Sequence, residues 1–134
     1  MLSSLLTLLT LTTFAQTPLV CEKGFLRETT NGKTTEVATT YCYNEDRNIL
    51  TSPACKTLEC KSAFNANKLI DKKKVMNPTS NPGFNICREL DGKPQIVEFK
   101  VGKDWHRLDR CTFKDGSFVS TSELMGFYLK PRKY

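Results

Sequence analysis

The chain has 134 residues, six cysteines and a formal net charge of +6. A chain of this length holds one small domain or two very small modules, which excludes a large core and a roomy active-site cleft. Six cysteines in so short a chain form a disulfide framework rather than a set of reduced thiols, which excludes a reducing compartment, and the positive charge favours acidic partner surfaces.

Residues 1–15 carry no charge and consist almost wholly of Leu, Thr and Ser, with one Phe. The stretch is too short and too polar to span a bilayer, and it reads as a signal peptide despite lacking a basic start. Thr13 and Ala15 are small enough to occupy the pocket of a signal peptidase cutting before Gln16. Lipid attachment at Cys21 is not expected, because the bulky Val20 precedes it. The mature chain is therefore expected in the periplasm or outside the cell.

Residues 19–43 read as one long hairpin, with Thr-rich arms on either side of Asn31-Gly32, the dipeptide that suits a type I′ turn. A two-residue turn there pairs residues whose numbers sum to 63, so Arg27 faces Glu36, Phe25 faces Ala38 and Cys21 faces Cys42. The cysteine pair falls on a non-hydrogen-bonded rung, where Cα atoms approach to about 4.5 Å, within reach of a disulfide. Residues 49–52 can add a third antiparallel strand after the polar turn at residues 44–48.

Cys55 and Cys60 close a short loop. If Ser52-Pro53 opened a helix, they would sit about 8 to 9 Å apart, beyond bridging distance, so their pairing requires a turn. The turn is favoured because the other four cysteines find partners. Residues 61–80 shift to Asn, Lys, Pro and Ser and mark a linker or irregular helix between a module at 16–60 and one at 81–134.

In the second half Asn81 can cap a helix with Pro82 at its first position, ended by Asp91-Gly92. Residues 95–101 and 105–113 make a second hairpin across a Gly102-Lys103-Asp104 turn, closed by Lys114-Asp115-Gly116-Ser117 and a stub at Phe118-Val119. Cys87 on the helix can staple it to Cys111 on the hairpin. Ser120 with Glu123 has the form of a capping box opening a terminal helix, in which Leu124, Phe127 and Tyr128 share a face. The fold expected is α+β, a small disulfide-stabilised domain with an N-terminal β-hairpin or meander, then a helix-plus-hairpin module and a short C-terminal helix.

Residues 81–129 resemble a small domain of bacterial envelope proteins that is often labelled a haemolysin. The likeness rests on Asn81-Pro82, Cys87, Asp91-Gly92, Ile96 and the run Cys111-Thr112-Phe113-Lys114-Asp115-Gly116-Ser117. Asp91 stands where that family has the first of two glycines, Lys114 where it has proline, and Val119 where it has a further cysteine. The resemblance implies an exported helix-plus-hairpin module of the bacterial envelope, and its label implies membrane lysis as an alternative role.

Little in the chain points to catalysis. His106 is the only histidine. A Ser-His-Asp relay around it lacks a Gly-x-Ser-x-Gly elbow, and the small hydrolase it would make is the minor alternative. A zinc site from Cys55, Cys60, His106 and another thiolate has loose spacing and competes with oxidation. Asp104 with Asp109, and Glu45 with Asp46, read as turn and surface carboxylates rather than acid–base pairs. No enzyme activity, metal or cofactor is expected. Aromatic residues are not interleaved with arginines, so no nucleic-acid partner is expected either. Trp105 and the basic tail Lys130, Arg132 and Lys133 are the candidate partner-binding residues, facing an envelope or extracellular protein, an acidic polymer or an anionic membrane surface.

Overall fold

A computed structural model describes residues 18–57 and 59–129. The leader at residues 1–15 lies outside the described residues. β1 (Val20–Thr30) and β2 (Lys33–Tyr43) form the long hairpin, and all eleven rungs keep the register in which paired numbers sum to 63. Asn31 and Gly32 both have positive φ, 53° and 76°, as a type I′ turn requires. β3 (Leu50–Thr51) pairs with the end of β2, setting Thr51 opposite Cys42.

A 3-10 turn at Pro53–Cys55 follows, and it is the bend that lets Cys55 reach Cys60, with Cα atoms 5.0 Å apart. The connection to the second half is irregular except for α1 (Lys72–Val75). α2 (Pro82–Glu89) starts at Asn81, whose side chain accepts the Phe84 N–H at 3.2 Å. β4 (Lys93–Val101) and β5 (Asp104–Thr112) form the second hairpin, β6 (Phe118–Ser120) pairs with β5, and α3 (Thr121–Tyr128) ends the fold.

Three details differ from the sequence-based expectations. The β4–β5 turn has two residues, since Asp104 already pairs with Val101; Gly102 at φ 61° supplies the conformation of a type II′ turn. Ser120 precedes α3 but its hydroxyl does not cap the helix. It accepts the Leu50 N–H at 3.2 Å instead, because its place on β6 turns it toward β3. The linker at residues 61–80 does not divide the sheet, because β1 pairs with β4 and β3 with β6 across it.

These cross-pairings close an antiparallel barrel in the order β1-β2-β3-β6-β5-β4. The reason is apolar surface: neither hairpin can cover its own inner face. Leu26, Tyr41 and Tyr43 from the first hairpin, Val97 and Phe99 from the second, and Leu50 and Phe118 form one core inside the barrel. Strand alternation sends Cys111 and Val119 to the opposite face, where Ala63, Val75, Ile86, Cys87, Phe113 and Leu124 bury them in a second core under the helices. β6 therefore separates two cores, with Phe118 facing one and Val119 the other.

Gly24 and Gly92 are the glycines of closest approach. An added Cβ at Gly24 would overlap Tyr41 Oη and lie 2.9 Å from ring atoms Cε1 and Cζ. The Tyr41 ring crosses β1 over Gly24, and its hydroxyl donates to the Lys100 carbonyl on β4 at 2.5 Å, tying β2 to β4 beyond the short β1–β4 ladder. Burial and the nearby Glu22 carboxylate push the Tyr41 phenol upward. A Cβ at Gly92 would overlap Cys111 Sγ and lie 3.0 Å from Cys87 Sγ. Asp91, at φ 61°, makes the left-handed turn that delivers Gly92 onto that disulfide. The dipeptide thus divides two backbone tasks between two residues.

The remaining bridges join Cys21 to Cys42, with Cα atoms 4.0 Å apart, and Cys87 to Cys111, 5.5 Å apart. Each bridge of this kind adds roughly 2 to 4 kcal/mol by restricting the unfolded chain. Three disulfides and no free thiol among the described residues suit an oxidising, extracellular or periplasmic setting. No helix among the described residues is long and apolar enough to cross a membrane.

Candidate partner-binding face

Closure of the barrel brings together side chains that are remote in sequence. On the outer face of three adjacent strands, Arg27 of β1 stands opposite Glu98 of β4, which stands opposite Arg107 of β5. Arg27 reaches past β4 to lay its guanidinium 3.6 Å from the centre of the Trp105 ring, and Lys100 Nζ lies 5.8 Å from the same ring. Guanidinium stacking of this kind orients an otherwise floppy side chain and leaves its N–H groups available to an incoming acceptor.

Below this row the outer face dips into a groove of about 470 Å³. Ile96 and Pro94 of β4 line it, together with the hairpin tip at Thr29, Thr30 and Asn31, with Phe84 of α2, and with Lys93 and Arg107. Ile96 is 36% exposed there. The nearby Asp109 carboxylate is engaged by the Asn81 side-chain amide at 3.3 Å, the same asparagine that caps α2. Arg27, Lys93 and Arg107 with the one carboxylate of Glu98 leave the groove net positive, with an apolar strip between the charges. Such a surface can hold an acidic chain by charge at its edges and by apolar contact along its middle.

A second polar constellation lies inside the barrel. Arg110 is 4% exposed, donates to Glu28 Oε1 at 2.5 Å and to Gln95 Oε1 at 3.0 Å, and lies over the Phe118 ring at 4.7 Å. Burial lowers its affinity for a proton, and the Glu28 carboxylate beside it opposes that shift. Arg110 Nε is buried without a hydrogen-bond partner among the described residues. This arginine is therefore a core residue and adds nothing to the basic surface.

The candidates read from the sequence fall in different places. Trp105 is on the outer face, half-buried under Arg27. Lys130, Arg132 and Lys133 lie outside the described residues. His106 faces the barrel interior, its ring 5.5 Å from that of Phe99, and no hydrogen bond reaches it among the described residues. Cys55 and Cys60 are bonded to each other, and no cluster of three or more metal-ligating side chains occurs among the described residues. Asp104 and Asp109 are an odd number of residues apart on β5, so they point to opposite faces. Asp115 accepts the Ser117 N–H at 2.9 Å, the Ser117 hydroxyl at 2.6 Å and the Ser62 hydroxyl at 3.2 Å. The Ser117 bonds hold its carboxyl below the usual carboxylate range.

Arg27, Lys93, Ile96 and Arg107 were not singled out from the sequence. Their alignment depends on the β1–β4 ladder, which no local pattern encodes. The available signal was parity: on paired strands Arg27, Ile96 and Arg107 occupy outward positions, and Trp105 shares that face. No protein-family model matches the chain, and no curated protein or solved structure matches it significantly.

Proposed function

We propose that this is an exported binding protein of the bacterial cell envelope, without catalytic activity, that holds an acidic extracellular or envelope partner in the groove beside Arg27 and Trp105. The observation that carries the reading is the stack of Arg27 on Trp105 at the head of a net-positive groove floored by Ile96 and Pro94. The three disulfides support export to the periplasm or the medium, and the resemblance of residues 81–129 supports the bacterial envelope as the setting. A small rigid barrel presents such a face at little ordering cost on binding.

Trp105 is the only tryptophan of the chain, so its fluorescence reports on this face alone. Titration of the full chain with poly-glutamate and with a phosphodiester cell-wall polymer is expected to change that emission saturably. The response should weaken as salt rises and should be lost in the variant Arg27→Ala with Arg107→Ala. An unchanged emission with both polymers, together with no retention on any envelope fraction, overturns the proposal. Dye release from anionic vesicles at micromolar protein would favour the lytic role that the resemblance implies.

A further inference from the structure

β2 has an unprotected edge. In this hairpin the odd-numbered residues of β2 exchange hydrogen bonds with β1, starting from the pair Thr30 and Lys33 beside the turn. The even-numbered residues turn their N–H and C=O groups the other way. β3 meets only Cys42 and Tyr43. Thr34, Glu36, Ala38 and Thr40 therefore present eight backbone groups that find no backbone partner among the described residues.

Strand edges of this length are normally blunted by a proline, a bulge, clustered charge or a covering element. This one has an unbroken register and no proline, and its charges are Lys33 and Glu36. Residues 31 through 38 are all exposed, Val37 at 36%. Its threonines and Val37 are residues that favour strands.

We infer that this edge pairs antiparallel with the same edge of a second copy of the chain, about a two-fold axis at Val37. A second copy fits this edge because the strand is self-complementary in an antiparallel two-fold register. A two-fold pairing needs directly opposed residues on the same face and needs even-numbered residues in the hydrogen-bonded pairs. Centred on Glu36, it would set two like carboxylates against each other. Centred on Val37, it pairs Thr34 with Thr40 and Glu36 with Ala38 of the other copy, each twice, so all eight groups find partners. Lys33 then faces Tyr41, no like charges are opposed, and the two Val37 side chains meet at the axis beside Leu26, the partner of Val37 on β1. The pairing ends at Thr51, where β3 takes over the edge. The interface is a single pair of strands, so the dimer is weak and reversible.

The test is sedimentation of the full chain, disulfides intact, from about 1 μM to about 1 mM, the range in which a small interface assembles. A monomer–dimer equilibrium is expected. Ala38 is exposed, so its replacement leaves the fold in place, which the far-ultraviolet spectrum and the three disulfides check independently. Ala38→Glu opposes Glu36 of the other copy twice and weakens the dimer by about 5- to 10-fold, whereas Ala38→Lys strengthens it by a similar factor. Glu36→Lys combined with Ala38→Glu replaces the repulsion by two opposite-charge pairs, so the dimer is tightened beyond wild type by a factor similar to that of Ala38→Lys, an outcome only this register produces. A chain that stays monomeric throughout overturns the inference. So does a dimer that responds equally to glutamate and lysine at position 38, or a monomer that takes up a foreign extended peptide on this edge instead.

Discussion

Gly24→Ala tests the account of how the barrel closes. The new methyl group would overlap Tyr41 Oη and press on two ring carbons at 2.9 Å. The ring has nowhere to retreat: Tyr41 is fully buried and stands 5.9 Å from the Phe99 ring and 6.1 Å from the Tyr43 ring, centre to centre. Overpacking a filled core costs about 1 to 3 kcal/mol. Displacing the hydroxyl also breaks its bond to the Lys100 carbonyl, which adds about 1 to 2 kcal/mol. The expected total is about 2 to 5 kcal/mol, a large share of the stability of a small domain. Urea unfolding with disulfides intact, followed by Trp105 emission, measures it as a fall in midpoint. Tyr41→Phe alone should lose only the hydrogen-bond part. In the double variant the worst overlap is gone, so the two losses should fall short of their sum by about 1 kcal/mol or more. Gly24→Ala within about 0.5 kcal/mol of wild type, the range of ordinary surface substitutions, would refute the reasoning.

Glu28→Ala leaves Arg110 charged and buried, and should cost about 3 kcal/mol, whereas Glu28→Gln together with Arg110→Met should cost less than either single change; urea midpoints decide this. Asp115 has its carboxyl held low by Ser117, so its contribution is present above the ordinary carboxylate pKa and is lost as pH falls through the depressed folded value. Asp115→Asn should therefore flatten the acid limb of a plot of thermal midpoint against pH. Under limiting reductant, Cys21–Cys42 should open first, since Cys21 is exposed, and Cys87–Cys111 last, since both its residues are fully buried; alkylation and mass mapping over time read the order. Opening in the reverse order would contradict the burial of the second core.

Local signals carried a good part of this fold. Asn31-Gly32 set the turn, and arithmetic from that turn set eleven rungs and the Cys21–Cys42 bridge. Asn81-Pro82 set the start of α2, and Asp91-Gly92 its end. The capping-box reading of Ser120 failed because a tertiary acceptor role, toward Leu50 N–H, outcompeted a local one. The candidate face was only partly legible. Trp105 stood out as a lone large aromatic, but Arg27, Lys93, Ile96 and Arg107 gain meaning only when β1 lies beside β4.

Turns, helix starts, the register within each hairpin and the oxidising setting of the cysteines depend on neighbours along the chain and are legible in it. Tertiary structure alone decided which hairpin lies against which. That choice rests on burying two apolar strand faces in one barrel, on a glycine thin enough for a tyrosine to cross, and on an arginine paired inside with Glu28. The bonds from Tyr41 to Lys100 and from Arg110 to Glu28 join residues 59 and 82 positions apart, and no short-range periodicity records them.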